Sequence, residues 1–307
     1  MIYLRHFLFL CKNKKSLFIN GKRITNVKQS ISHFFMNIKL CLIFNFNHSK
    51  MNLYKTNLLF AYLYILIAFG VSIVYYLHPK HLNLDMDLYR YQITSVLSDG
   101  TVNVDGKKEF DIDTKVVEIL IVSMLCITGF FHLFYFTNGF RTGAYTNDIK
   151  QGLNRYRWFE LSITSAIIIF IISIISGLRD YNTVILGCIL IAVMMCFGFY
   201  IEKSKKIEDK TVGLVAFCGI LASIFALVYN SLILSRNEND EYPNWATGTL
   251  IGVGAGFILL CFLTIMCAGG FGKRGFDYPT YDKYYTYLAF ILKIYLSSYV
   301  TYGILSS

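Results

Sequence analysis

Apolar residues in this sequence gather into seven near-continuous stretches, each about as long as the ~20 residues an α-helix needs to cross a bilayer. They cover residues 57–77, 116–138, 158–178, 181–201, 211–235, 245–269 and 284–304. Isoleucine-rich runs such as 166–175 favour strands by propensity, but strands do not run to ~20 residues, so each stretch is expected as a helix. Between the first two spans the pattern changes. Within the loop 78–115, residues 88–96 and 101–110 are rich in Tyr, Ile, Val and Thr and flank Ser98-Asp99-Gly100. Asp-Gly between alternating segments signals a β-hairpin. A two-stranded ribbon is marginal by itself, so it should lie on the bundle or on a partner.

Composition agrees with burial in lipid. Of 307 residues, 55% are hydrophobic and only 16% are charged, with a mean hydropathy of +0.50. A soluble domain carries roughly 25% charged residues. Three prolines in the whole chain exclude a Pro-rich linker or a long disordered protein. The net charge of +10 would point to nucleic acid only if the basic residues shared one folded face. They lie instead in the N-terminal segment and between apolar spans, so no nucleic-acid partner is expected.

Charge also sets the topology. Residues 1–55 hold ten Lys or Arg and no Asp or Glu. Such a segment can be an organelle transit peptide. The preferred reading is a basic extension, disordered or not native, ahead of a start at Met51, with a seven-helix domain over residues 56–307. The first loop has five basic and seven acidic residues, and the second, 139–157, has four basic and one acidic. Loops four (202–210) and six (270–283) lean positive, whereas loop five (236–245) has one basic and three acidic residues. Positive loops stay in the cytoplasm. The expected arrangement is therefore an all-α, multi-pass membrane protein: a seven-transmembrane helix bundle with a cytoplasmic N-terminus, an extracellular C-terminus and a β-hairpin in the first extracellular loop.

Charges inside the hydrocarbon are rare and are functional hypotheses by default. Two lie well inside the spans: Lys293 in span seven and Glu160 in span three. Lys293 is about 11 residues past Asp282, or roughly 16 Å of helix, and Glu160 follows Arg157 near the cytoplasmic end. A lysine side chain can lean toward that carboxylate. A buried salt bridge alone adds little net stability, because desolvation offsets the attraction. The other reading is chemical: a desolvated amine is nucleophilic toward an aldehyde, and the protonated imine then needs an anionic partner. The eight cysteines form no CxxC pair, and six lie inside apolar segments, so neither a disulfide framework nor a metal site is expected.

The third-span stretch Asn154-Arg155-Tyr156-Arg157-Trp158-Phe159-Glu160-Leu161-Ser162 resembles the Asn-Arg…Arg-Trp-x-Glu-Tyr-Ser pattern of heliorhodopsins. A central lysine in span seven, His132 in span two and the long first loop extend the resemblance over residues 54–307. It implies that Lys293 carries all-trans retinal as a Schiff base, that Glu160 is the counterion, and that His132, Ser162, Met194 and Ala289 belong to the cofactor site. Leu161 stands where the pattern has Tyr, Ala289 where the family has Ser, and span one lacks the family's histidine, with Tyr62, Tyr64 and Tyr75 the nearest polar groups. His132 shares a helix face with Thr128 and Tyr135 and is expected either as a hydrogen-bonded core residue or as a proton relay to Glu160.

Gly248, Gly252 and Gly256 repeat every fourth residue in span six, a pattern for close helix approach. Packing inside the bundle is its expected use, with a dimer face second. Tyrosines between Tyr278 and Tyr285 read as an interfacial belt. The expected function is light sensing without enzyme chemistry. The lipid bilayer, a second copy in a homodimer and an unidentified cytoplasmic signalling protein are the expected partners. The alternative is a light-gated proton conductor, but spans six and seven offer no carboxylate on the outer side of Lys293.

Overall fold

The computed structural model describes residues 53–77, 88–96, 101–110, 112–235, 244–268 and 277–306. The expectations for residues 1–55, apart from the last few that open the first helix, and for the Ser98-Asp99-Gly100 turn lie outside the described residues.

Eight helices and one hairpin are present among the described residues. The chain runs α1 (Leu53–Leu77), β1 (Leu88–Val96), β2 (Val102–Phe110), α2 (Thr114–Thr142), α3 (Ala144–Lys150), α4 (Arg155–Ile175), α5 (Tyr181–Lys203), α6 (Ile207–Ser235), α7 (Asn244–Ala268) and α8 (Tyr278–Ser306). All but α3 are long and apolar enough to cross a membrane, so the protein is an integral, multi-pass one. Several ends differ from the sequence-based expectation. In particular α8 begins at Tyr278, six residues before the apolar pattern does, which draws Asp282 into a helix.

Polar residues set the helix starts. The Asp113 carboxylate accepts from Val116 N at 3.1 Å, Asn154 Oδ1 from Arg157 N at 3.1 Å, and Asp180 from Thr183 N at 2.9 Å. Each satisfies an amide that the first helical turn leaves unpaired. Gly143, with φ of 66°, ends α2 in the left-handed region and lets α3 start at once.

Helices adjacent in sequence pack together: α1 on α2, α4 on α5, α5 on α6 and α7 on α8. The last helix also touches α1, α2 and α3, closing the ring, and α4 is the most buried of the spans. The glycines of α7 face α8. A Cβ at Gly252 would lie 2.1 Å from the Tyr295 ring, one at Gly256 2.4 Å from Leu292, and one at Gly248 3.0 Å from Tyr299. The small-residue pattern is therefore used inside the bundle.

The hairpin pairs antiparallel and docks on the turn before α5. Tyr89 N donates to Arg179 O at 2.9 Å, Phe110 stacks on Tyr181 at 5.4 Å, and the Arg90 guanidinium lies 5.7 Å from the same ring.

Candidate functional site

The inward face of α8 presents Asp282, Tyr285, Ala289 and Lys293, spaced by three and four residues so that they form one stripe. The facing side of α4 presents Arg157, Glu160 and Thr164 in the same way. Where these stripes meet, two buried polar sites form.

The first site holds Lys293, which is 1% exposed, and Glu160, which is 5% exposed. Lys293 Nζ donates to Glu160 Oε1 and, at 2.8 Å, to Thr128 Oγ1 of α2. The same Glu160 oxygen accepts from Thr128 Oγ1 at 2.8 Å and from Thr164 Oγ1 at 3.0 Å. The Tyr64 ring lies 5.8 Å from the ammonium. The structure thus brings the amine of α8 and the carboxylate of α4 into contact. Thr164, four residues on from Glu160, is an addition to the site, as is the bridging role of Thr128.

His132 is buried on α2 beside this pair. Its Nδ1 lies 2.9 Å from Asn57 Oδ1 of α1, and Tyr64 stacks on its ring. His132, Glu160, Lys293, Ala289 and Arg157 line one narrow chamber. Asn57 is the polar group span one contributes at His132. Of the tyrosines considered there, Tyr64 meets the ring, Tyr62 is 65% exposed, and Tyr75 bonds Thr301 at 2.8 Å.

Ser162 does not join the group. It is partly exposed, and its hydroxyl donates to Phe159 O of its own helix at 2.8 Å. Residues two apart on a helix lie about 200° around its axis, so Ser162 cannot face where Glu160 faces. Met194 is buried on α5 but does not line the chamber.

The second site was not foreseen. Arg157, counted in sequence as a loop charge, is buried and donates to both Glu202 of α5 and Asp282 of α8. Tyr278 Oη donates to Glu202 Oε2 at 2.7 Å, and Asn154 Nδ2 donates to Asp282 Oδ1 at 2.9 Å. The guanidinium plane meets three aromatic rings: Tyr285 at 4.4 Å and Trp158 and Tyr281 at 5.2 Å. Tyr281 and Tyr285 are thus buried around Arg157 and do not form an interfacial belt, while Tyr284 is exposed. Next to this site the Arg155 guanidinium grips Asp148 of α3 with two bonds of 2.7 Å.

Asn154 caps α4 and binds Asp282, Arg155 holds α3, Arg157 clamps α5 and α8, and Glu160 meets the lysine. A family model described as Heliorhodopsin matches residues 33–305. No curated protein matches the chain. The match covers most of the sequence, beginning within the basic N-terminal segment, and the chain belongs to the heliorhodopsin family of retinal-binding rhodopsins.

Proposed function

We propose, with membership of the heliorhodopsin family as premise, that this protein is a light sensor carrying all-trans retinal on Lys293 as a Schiff base, with Glu160 as counterion. One observation carries the reading: the buried Lys293 amine touches a single carboxylate, itself held by two threonine hydroxyls. That donor set suits the group. The amine supplies the nucleophile for an aldehyde, and the carboxylate supplies the anion that a cationic nitrogen requires in low dielectric. Retinal, when bound, supplies absorption of visible light and a change of shape in response to it.

The chain's own residues do the rest. Thr128 and Thr164 keep Glu160 Oε1 turned toward Lys293, so the charges stay at contact. Burial of Lys293 excludes water that would hydrolyse an imine. His132 stands beside the pair as an imidazole, a group that can both give and accept a proton. The positive loops put α3 and loops two, four and six on the cytoplasmic side, where a signalling partner would meet them. A C-terminal tag should accordingly be labelled by an impermeant reagent on intact cells, and labelling of an N-terminal tag instead would reverse this topology.

The decisive experiment adds all-trans retinal to the purified protein. A visible band should grow, and borohydride should fix the chromophore on the α8 peptide containing Lys293. No band, or reduction onto another lysine, would refute the assignment.

A further inference from the structure

A neutral imidazole carries its hydrogen on one of two ring nitrogens, and the other nitrogen is then the one that can accept a proton. The ring of His132 is held in place by aromatic neighbours: Tyr64 stacks at 5.6 Å and 13°, Phe60 lies at 5.7 Å, and Tyr135 meets it edge-on at 5.5 Å. Its tautomer is set by the hydrogen bond at Nδ1.

A chain of hydrogen bonds leads from the ring to the second buried site. His132 Nδ1 lies 2.9 Å from Asn57 Oδ1, Asn57 Nδ2 donates to Tyr145 Oη at 3.1 Å, and Tyr145 Oη donates to Asp282 Oδ2 at 3.2 Å. The polarity of the chain follows from its far end. The other oxygen of Asp282 takes donors from Arg157 and Asn154, leaving Oδ2 an acceptor toward Tyr145. Burial, and then the charge of Asp282, push the Tyr145 phenol well above its ordinary range, so it keeps its hydrogen and points it at the carboxylate. The phenol oxygen then accepts from Asn57, which puts the amide nitrogen on the tyrosine side and the carbonyl on the histidine side. A carbonyl oxygen only accepts, so the hydrogen in the last bond belongs to His132 Nδ1.

We propose that Asp282, acting through Tyr145 and Asn57, is a positioning residue that sets His132 as the Nδ1–H tautomer and leaves Nε2 as its basic nitrogen. His132 then takes up a proton on Nε2 alone. The resulting positive charge strengthens three bonds that all donate toward Asp282. An amide stands in the middle of the chain and passes no proton onward, so the charge is held at His132 while its effect reaches the α3 and α8 ends. The tautomer does not depend on retinal. Only the source of the arriving proton, displacement at Lys293 and Glu160, rests on the proposed function.

Nitrogen-15 NMR of histidine-labelled, full-length protein without retinal tests this directly, with the His132 signals assigned by their loss in His132→Gln. The expected spectrum has a protonated Nδ1 and a bare Nε2. Tyr145→Phe keeps the ring that stacks on Tyr135 at 5.5 Å and deletes only the hydroxyl. The contact that fixes the Asn57 amide nitrogen on the tyrosine side is then lost, and His132 should become a mixture of tautomers. Asn57→Leu, which removes the acceptor outright, should shift the population the same way and serves if Tyr145→Phe does not fold. An Nε2–H histidine in the wild type, or an unchanged Nδ1–H signal in both variants, would overturn the proposal. Failure of the retinal reading would appear separately, as the absence of a visible band on adding the aldehyde.

Discussion

Lys293 and Arg157 are both cations buried on the inner face of the bundle, yet they are surrounded differently. Arg157 meets two carboxylates and three aromatic rings drawn from α4, α5 and α8. Lys293 meets one carboxylate oxygen, one threonine hydroxyl and, at 5.8 Å, the Tyr64 ring. A guanidinium is planar, permanently charged and able to fill several acceptors at once, which suits a clamp between helices. An ammonium on a flexible stem can lose its proton and react. The many-partnered cation binds the bundle together, and the sparsely partnered one is left available for chemistry.

The contrast fails first at Lys293 if it fails at all. Lys293→Ala should abolish the visible band completely while circular dichroism and gel filtration report a folded protein. A retained band, covalently reducible onto the chain, would move the chemistry elsewhere. Arg157→Gln should do the reverse. Two buried carboxylates would be left without their cation, at a cost of about 3–5 kcal/mol. Thermal unfolding should shift strongly downward, with the band position of the surviving protein close to that of the wild type. An unchanged melting curve would show that Arg157 is no clamp.

Glu160→Gln tests the anion alone, and its effect is a spectral shift or loss of the visible form. A nearby anion localises positive charge on the imine nitrogen and widens the optical gap. Acidification protonates Glu160 and removes that anion, so the band should move to longer wavelength as pH falls. The Gln variant should either copy this shift at neutral pH or lose the imine proton and absorb in the near ultraviolet, with added halide restoring the visible form. A spectrum and acid titration matching the wild type would exclude Glu160 as counterion. The smallest effect belongs to Ser162→Ala, because its hydroxyl bonds only its own helix in the described geometry. Band and stability should both stay within measurement error, roughly 0.5 kcal/mol for the latter. A clear spectral change would place Ser162 nearer the lysine than α4 allows.

The sequence was most informative where physical chemistry is local or one-dimensional. Apolar length marked the seven spans, Asp-Gly between alternating segments marked the hairpin, and two ionisable residues within apolar runs marked Lys293 and Glu160. The Arg157 site escaped because charge counting treats every ionisable residue near a span end as solvated. Arg157 bonds Glu202 and Asp282 across three helices, a relation with no trace in local order along the chain. The extra turn and a half at the start of α8 was hidden for the same reason, since its tyrosines and Asp282 lower the local hydropathy while facing inward. Ser162 is the opposite case: resemblance to the motif drew it into the site, whereas helical geometry turns it away from the face of Glu160. Asn57 stood at the edge of an apolar run, where nothing but the fold reveals that it faces His132.

The notches that glycine leaves in α7 carry a mechanical consequence. The Tyr295 ring occupies the space of a Gly252 side chain, and Leu292, the residue before Lys293, occupies that of Gly256. Side chains seated in such notches oppose both sliding and axial rotation, because a packed interior has no room for them to ride up and out. The two helices are therefore interlocked at these positions, and a shift of either would have to carry the seated side chains with it. A displacement beginning at the Lys293 side chain would meet α7 through these two notches.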